Sequence, residues 1–297
     1  MRSKSNDVKK NTIQGAILRS AACLEQAGIP SSRLEAEILL AHVLGINRIE
    51  LYKNSEQYLE SNEIDHFEKL ISKRVAGEPT AYLRGEKEFF SLTFKVGPGV
   101  LIPRAETELL VEESLAILAT RPSPFILELG TGSGAVLISI LVHLPTARGV
   151  GTDISLSALQ YAHQNAKKHK LENRIKFFEG DLFQALKDSQ FFDLIVFNPP
   201  YIPTQAISSD LRFEPKEALD GGNDGLHYYR EVLANAWEFL NEAGFLILEI
   251  GTPQVEALER EIKKVEQYDG LPIYKNDLSG LKRAVILQRK KGRNFKK

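Results

Sequence analysis

Residues 193–201 read Asp-Leu-Ile-Val-Phe-Asn-Pro-Pro-Tyr. The apolar run 194–197 reads as a buried strand, and it stops on an amide side chain, two residues without an N–H, and a phenol. Asn198 precedes a proline, so its backbone is pushed to an extended conformation. Pro199 and Pro200 stiffen the exit and remove two donors. What remains is a set of acceptors, the Asn198 side-chain oxygen and nearby carbonyls, beside the flat face of Tyr201. Such a set suits a planar NH₂ group conjugated to a carbonyl or a ring. Its N–H bonds would donate to Asn198 and to the Pro199 carbonyl, with Pro200 holding the exit and Tyr201 stacking on the plane. A nitrogen of this kind is a weak nucleophile. Holding both N–H groups prepares it to attack a methyl sulfonium through positioning and electrostatics rather than through a strong base. Adenine, cytosine and glutamine amides all satisfy the motif.

A second stretch, Leu-Glu-Leu-Gly-Thr-Gly-Ser-Gly-Ala at 127–135, follows a strand and opens a helix. Gly130, Gly132 and Gly134, with Thr131 and Ser133 between them, let the backbone turn sharply and approach a ligand. Asp153 ends the next strand, where a carboxylate can accept two hydrogen bonds from a ribose diol. The loop also satisfies the loose dinucleotide pattern through Gly130, Gly132 and Ala135. Two features favour S-adenosylmethionine over a nicotinamide dinucleotide. The spacing is Gly-x-Gly-x-Gly after acidic Glu128, and this cofactor has no pyrophosphate to cradle but carries an ammonium that an acid can hold. Asp181 in Gly-Asp-Leu-Phe (180–183) follows the third strand, where it can face an adenine amine, with Leu182 beside it. Asn198 also stands close enough to be counted with the cofactor residues.

These groups need a scaffold. From residue 104 onward strands and helices alternate, with strands at 125–129, 149–153, 174–178, 193–197 and 244–250 and helices at 155–169 and 225–241. That alternation implies a parallel sheet covered on both faces. The last two strands, 272–275 and 283–288, are too close for a parallel crossover and should pair antiparallel. The expected fold is therefore α/β, a seven-stranded, mostly parallel sheet with one antiparallel strand. In such sheets ligands bind outside the carboxyl ends of the strands. Residues 1–77 read as a small helical bundle. Stripes at Ile13, Ile17, Leu24 and Ala27 and at Ile64, Phe67, Leu70, Ile71 and Val75 mark two helices, and Ser32 with Glu35 forms a capping box for a third that Gly45 closes. Residues 78–103 read as a linker with a β-hairpin turning at Gly97-Pro98-Gly99, and 104–297 as the catalytic domain.

Hydrophobic residues make up 43% and charged residues 26% of 297, ordinary for a water-soluble globular protein. No run approaches a membrane span, and no apolar segment follows the charged start, so a cytoplasmic protein without a signal peptide is expected. Cys23 cannot form an internal disulfide and reads as filler on a helix. The histidines show no zinc spacing, and no metal is expected. Residues 1–88 carry 13 basic and 13 acidic side chains, and 289–297 carry six basic ones and no acids. This leaves 19 basic and 26 acidic in 89–288, a net charge of −7. That core lacks the basic stripe of a DNA-binding enzyme.

Several segments together resemble a known family. They are 77–112 with Ile-Pro-Arg-Ala-Glu-Thr-Glu, the glycine loop, Asn-Pro-Pro-Tyr-Ile-Pro, 213–226 with Ala-Leu-Asp-Gly-Gly-Asn-Asp-Gly-Leu, and 276–286. The sequence resembles the protein-glutamine methyltransferases of peptide chain release factors, the PrmC/HemK family, over nearly its whole length. The resemblance implies the class I S-adenosylmethionine-dependent methyltransferase fold and S-adenosylhomocysteine as product. It also implies methylation of the side-chain nitrogen (N5) of the glutamine in the Gly-Gly-Gln motif of class-1 release factors. Gly130 to Gly134 and Asp153 would bind cofactor, and Asn198, Pro199, Pro200 and Tyr201 the glutamine amide. The helical bundle and hairpin would dock the release factor. Arg104 and Glu106 would lie near the mouth, and 220–225 would border the site. Leu182 stands where family members often carry an aromatic, and Glu128 replaces the commoner aspartate. The competing readings are a nucleic-acid amino-methyltransferase, which lacks its basic groove here, and a nicotinamide oxidoreductase, which gives Asn-Pro-Pro-Tyr no job. A binding protein on a methyltransferase scaffold would not need that motif intact.

Overall fold

The computed structural model describes residues 11–186 and 190–292. The chain divides into two compact units, 1–86 and 87–297. The charged start at 1–10 and the tail residues 293–297 lie outside the described residues.

The first unit is helical: α1 (Ile13–Gln26), α2 (Ser32–Leu44), α3 (Arg48–Lys53), α4 (Ser61–Val75) and α5 (Thr80–Arg84). Ile13, Ile17, Leu24, Leu39, Leu40 and Phe67 meet in one core. Cys23 is exposed on α1, and Ala27 lies beyond the helix end, exposed. The capping box of α2 does not form. Ser31, with φ 54°, is the N-cap and makes no side-chain cap bond, so Ser32 lies inside the helix, and the Glu35 carboxylate is taken by Arg74 Nε at 3.1 Å and by the Thr80 hydroxyl. Gly45 does close α2, with φ 65°. The buried Glu37 carboxylate accepts from Arg33, Arg48 and the Tyr52 hydroxyl.

Next, β1 (Glu86–Phe89) and β2 (Leu92–Lys95) form a two-stranded sheet. The hairpin turn falls at Phe90-Ser91, with φ 50° and 58°, and not at Gly97-Pro98-Gly99. A two-residue turn with both residues left-handed matches strand twist, and the glycine-proline segment comes after β2 has ended. Phe89 and Phe94 sink into the core of the second unit.

That unit continues with α6 (Glu108–Leu118), β3 (Phe125–Leu129), α7 (Ala135–His143), β4 (Arg148–Asp153), α8 (Leu156–Lys168), β5 (Ile175–Glu179) and β6 (Phe192–Phe197). It ends with α9 (His227–Phe239), β7 (Leu240–Glu249), α10 (Val255–Ile262), β8 (Tyr268–Asn276) and β9 (Lys282–Arg289). The seven-stranded sheet has the order β5-β4-β3-β6-β7-β9-β8. The strands β5, β4, β3, β6 and β7 pair parallel, and β9 runs antiparallel between β7 and β8. Two buried layers flank the sheet: Ile126, Leu137, Ile138 and Val196 with others on one side, Leu127, Ile195, Tyr229 and Leu233 on the other. This is the fold expected from the sequence.

The chain order switches direction at β3, which lies between β4 and β6. Leu129 pairs with Phe197, and Asp153 with Glu179. Gly130, Asp153, Gly180 and Asn198 therefore sit along one edge of the sheet, at the switch point where open α/β sheets bind ligands.

Candidate active site

A cavity of about 510 Å³ opens at that edge, a size usual for small-molecule sites. Gly130, Thr131, Gly132, Ser133, Asp153, Asp181, Leu182, Asn198 and Pro200 all line it. The structure thus brings together two motifs, whose Gly130 and Asn198 are 68 residues apart in sequence. Gly134, Pro199 and Tyr201 do not line the cavity.

The glycine loop keeps its shape by left-handed backbone at Gly130 (φ 54°) and Gly132 (φ 56°), which L side chains resist. Gly134 (φ 78°) instead caps α7. A Cβ there would lie 2.9 Å from Ile138 Cδ1, so it serves helix packing. Asp153 holds the loop against the next strand: Oδ2 accepts from Gly132 N at 2.8 Å and Oδ1 from Ser155 N at 2.9 Å. Burial raises the Asp153 carboxyl above its ordinary range, against these backbone bonds. Each carboxylate oxygen keeps a second lone pair for a ligand. Asn165, fully buried, ties the loop to the hairpin, donating to Ser133 O and Lys95 O and accepting from Lys95 N.

Glu128 lies in the cavity wall, 5% exposed. It accepts from the Thr131 hydroxyl and from Leu137 N at 3.3 Å. Burial pushes its carboxyl up to about 8, and those two bonds do not offset the desolvation. A carboxyl poised this way gives up its proton and ionises when a cation is brought beside it. The residues present therefore fit a nucleoside whose tail carries an ammonium.

At the β6 exit, Asn198 Nδ2 donates to Thr107 Oγ1 at 3.2 Å. The half-buried Tyr201 packs on the Leu127–Ile195 side of the sheet, with its hydroxyl 3.5 Å from Glu249 Oε1. Burial, and then the Glu249 charge, push this phenol up to about 12. Two neighbouring segments brace the exit. Arg104 pairs with Glu214 at 2.5 Å, and Glu214 Oε2 accepts from Ile102 N at 3.0 Å. Arg104 lines the cavity and Glu106 does not. In 220–225, Gly221 packs on the motif itself: a Cβ would stand 2.8 Å from Pro200 O and from Tyr201 Cα. Gln254 Nε2 donates to Tyr201 O at 2.9 Å.

Reading the sequence from its residue types missed several lining residues. Thr107, Phe197, Ile154 and Tyr228 reach the cavity. Ile154, 60% exposed beside a buried acid, leaves an apolar face for a ligand to cover. The others belong to helix or strand patterns that look like core.

A family model described as the PrmC N-terminal domain matches residues 16–85, and one described as the methyltransferase small domain matches 105–214. The chain is 41% identical over 254 residues to the release factor glutamine methyltransferase of Geobacter sulfurreducens, covering 83% of this chain and 87% of that protein. It is 42% identical over 260 residues to the protein of the same name from Moorella thermoacetica, covering 86% and 92%. Among solved structures, a methyltransferase from Pyrococcus furiosus shares the fold with TM-score 0.50 and 18% identity, over 68% of this chain and 90% of that one. With these likenesses spanning both units and the two motifs facing one cavity, the chain belongs to the release factor glutamine methyltransferase family.

Proposed function

We propose that this protein methylates the side-chain amide nitrogen (N5) of the glutamine in the Gly-Gly-Gln motif of class-1 peptide chain release factors, using S-adenosylmethionine, in the cytoplasm. One observation carries the reading: the amide-accepting exit at Asn198 and the glycine loop with Asp153 line the same cavity. The relatives' names supply the acceptor. Among the described residues no helix is long and apolar enough to cross a membrane.

Gly130, Thr131, Gly132 and Ser133 enclose the cofactor, Asp153 takes its ribose, Asp181 and Leu182 meet its adenine, and Glu128 holds its ammonium. When bound, S-adenosylmethionine supplies a methyl group on a positively charged sulfur, whose departing bond takes its electron pair. Asn198 Oδ1 and the Pro199 carbonyl accept the two amide N–H groups and aim the nitrogen's lone pair along that bond. Pro200 fixes the exit angle, and Tyr201, packed on the Leu127–Ile195 side of the sheet, supports the exit from beneath. Binding both N–H groups stabilises the positive charge that grows on nitrogen, and the amide proton leaves to water once the N–C bond has formed. This chemistry calls for no metal. The helical unit at 1–77 and the hairpin within 78–103 dock the release factor, while 104–297 performs the transfer. DNA is not the acceptor here, consistent with the −7 charge of residues 89–288. Mass spectrometry of a release factor treated with protein and cofactor tests this: one methyl group should map to the Gly-Gly-Gln glutamine. A methyl group elsewhere, or none, overturns it.

A further inference from the structure

Residues 276–286 have no part in the transfer above. They join β8 to β9 in a hairpin whose turn, 277–281, is held from within. Asp277 N donates to Leu281 O at 2.9 Å, and Gly280 N donates to Asp277 O at 2.9 Å. The Asp277 carboxylate accepts from Ser279 N at 2.9 Å and Leu281 N at 3.0 Å through Oδ1. Through Oδ2 it accepts from Arg283 Nε at 3.2 Å and Nη2 at 3.0 Å. The side chains of this ion pair are only 11% and 15% exposed. Leu278 sits between these tethers and is fully exposed, and Leu281 is 44% exposed. Turns call for Gly, Asn, Asp or Ser, not for a leucine. The fold thus holds an apolar side chain out in water on a stiff support. An anchor fixed in advance loses little conformational freedom when a partner covers it.

Position says which partner. β9 runs against the parallel strands, so its start stands at the edge where they end. Phe197 pairs with Leu248, and Glu249 with Ala284. Ile250 N donates to Arg283 O at 2.8 Å just beyond. β9 is the second strand from β6, about 10 Å away at the usual strand spacing. From Ala284 the chain runs on through Leu281 to the apex, which carries the tip roughly 10 Å past the edge at the usual rise per residue. The tip therefore stands beside the Asn198 exit and rises above it. A glutamine side chain is shorter than that rise. A folded protein that lowers a glutamine into the exit must bring its backbone down alongside the tip.

We propose that the 277–281 turn is a docking knob, with Leu278 seated in an apolar recess of the release factor beside the loop that carries its glutamine. The proposal rests on the release-factor reading. Leu278 does not line the cavity, so the knob grips the folded factor and leaves the chemical step alone.

The test compares wild type, Leu278→Ala, Leu278→Asp and Leu278→Met. It reads release-factor methylation at saturating S-adenosylmethionine and calorimetric binding of the factor in the presence of S-adenosylhomocysteine. Leu278→Ala should raise KM and Kd for the factor about 5- to 30-fold, the scale of losing a buried leucine's methyl groups. Leu278→Asp should raise them at least as much. Leu278→Met, which keeps the apolar volume, should stay within about threefold of wild type. In every variant kcat should stay within about twofold, the pattern of lost uniform binding. Melting temperature and S-adenosylhomocysteine affinity should not move, because the side chain is exposed. KM and Kd unchanged in both Leu278→Ala and Leu278→Asp overturn the proposal, as does a fall in kcat at unchanged KM. Sedimentation without the factor covers the other occupant: a wild-type dimer that Leu278→Asp dissociates, with factor binding unaltered, places a second copy on the tip and overturns the proposal too. A wild-type protein that methylates no release factor instead overturns the underlying reading, and this proposal with it.

Discussion

Replacing Glu128 by glutamine removes a proton that cofactor binding should expel. The Glu128 carboxyl is pushed up to about 8 by its burial, so at pH 7 about nine molecules in ten carry the proton. An ammonium brought beside it favours the ionised form. The pair is worth about 4 kcal/mol in contact at a protein site, and stripping the proton at pH 7 costs about 1.4 kcal/mol. The remainder, about 2–3 kcal/mol, corresponds to a roughly 30- to 150-fold difference in affinity. Calorimetric titration with S-adenosylhomocysteine, which keeps the ammonium, reads both quantities when repeated in buffers of different ionisation enthalpy. Wild type should release about 0.9 proton per site at pH 7. Glu128→Gln should release almost none and bind roughly 30- to 150-fold more weakly. Wild type without proton release, or a variant that releases as many protons as wild type, would refute the assignment of Glu128 to the ammonium.

The same burial makes stability fall as pH rises. Glu128 and Glu249 are held at about 8 and about 7 against an ordinary 4.5, so the folded state binds more protons in between. Their protonated forms cost nothing below the unfolded value, and stability is lost progressively as pH rises from about 4.5 through the folded values of about 7 and about 8. Glu128→Gln should therefore gain about 3 kcal/mol relative to wild type between about pH 5.5 and about pH 8.5 in urea unfolding. A difference independent of pH would contradict this. Gly221→Ala should drive a Cβ into the Pro200 and Tyr201 backbone, lowering kcat about 10-fold or more while S-adenosylhomocysteine still binds. Unchanged turnover would show that the glycine does not set the exit. Gly134→Ala, strained at φ 78° and crowded by Ile138, should cost about 1–3 kcal/mol in denaturant unfolding. An unaltered midpoint would deny that packing role.

The parallel strands were readable because buried strands are near-continuous apolar runs: residues 125–129 stand in the structure as read. The glycine loop and Asn198 were readable because their residue types make no sense in a strand or helix. Other features were carried by geometry that a pattern does not record. Insertion of β9 between β7 and β8 is a choice of neighbour, whereas spacing reports only that two strands run antiparallel. The hairpin turn sits at Phe90-Ser91 in left-handed backbone without a glycine to mark it. Ser32 and Glu35 had capping-box spacing, yet Arg74, 39 residues away, claims the carboxylate. The run 220–225 was expected only to border the site, and Gly221 is there so that two backbones can approach. Thr107 was invisible as a partner of Asn198, since only folding brings the start of α6 to the β6 exit.

The central claim is that the Asn198 exit holds a release-factor glutamine amide for methyl transfer. The direct measurement is transfer of label from S-adenosylmethionine to a purified class-1 release factor. Parallel samples carry Gln→Ala in the Gly-Gly-Gln motif, Asn198→Ala in the enzyme, or DNA as acceptor. The account predicts label on the wild-type factor alone, lost with either substitution. Label on DNA, or on the factor lacking that glutamine, would contradict it.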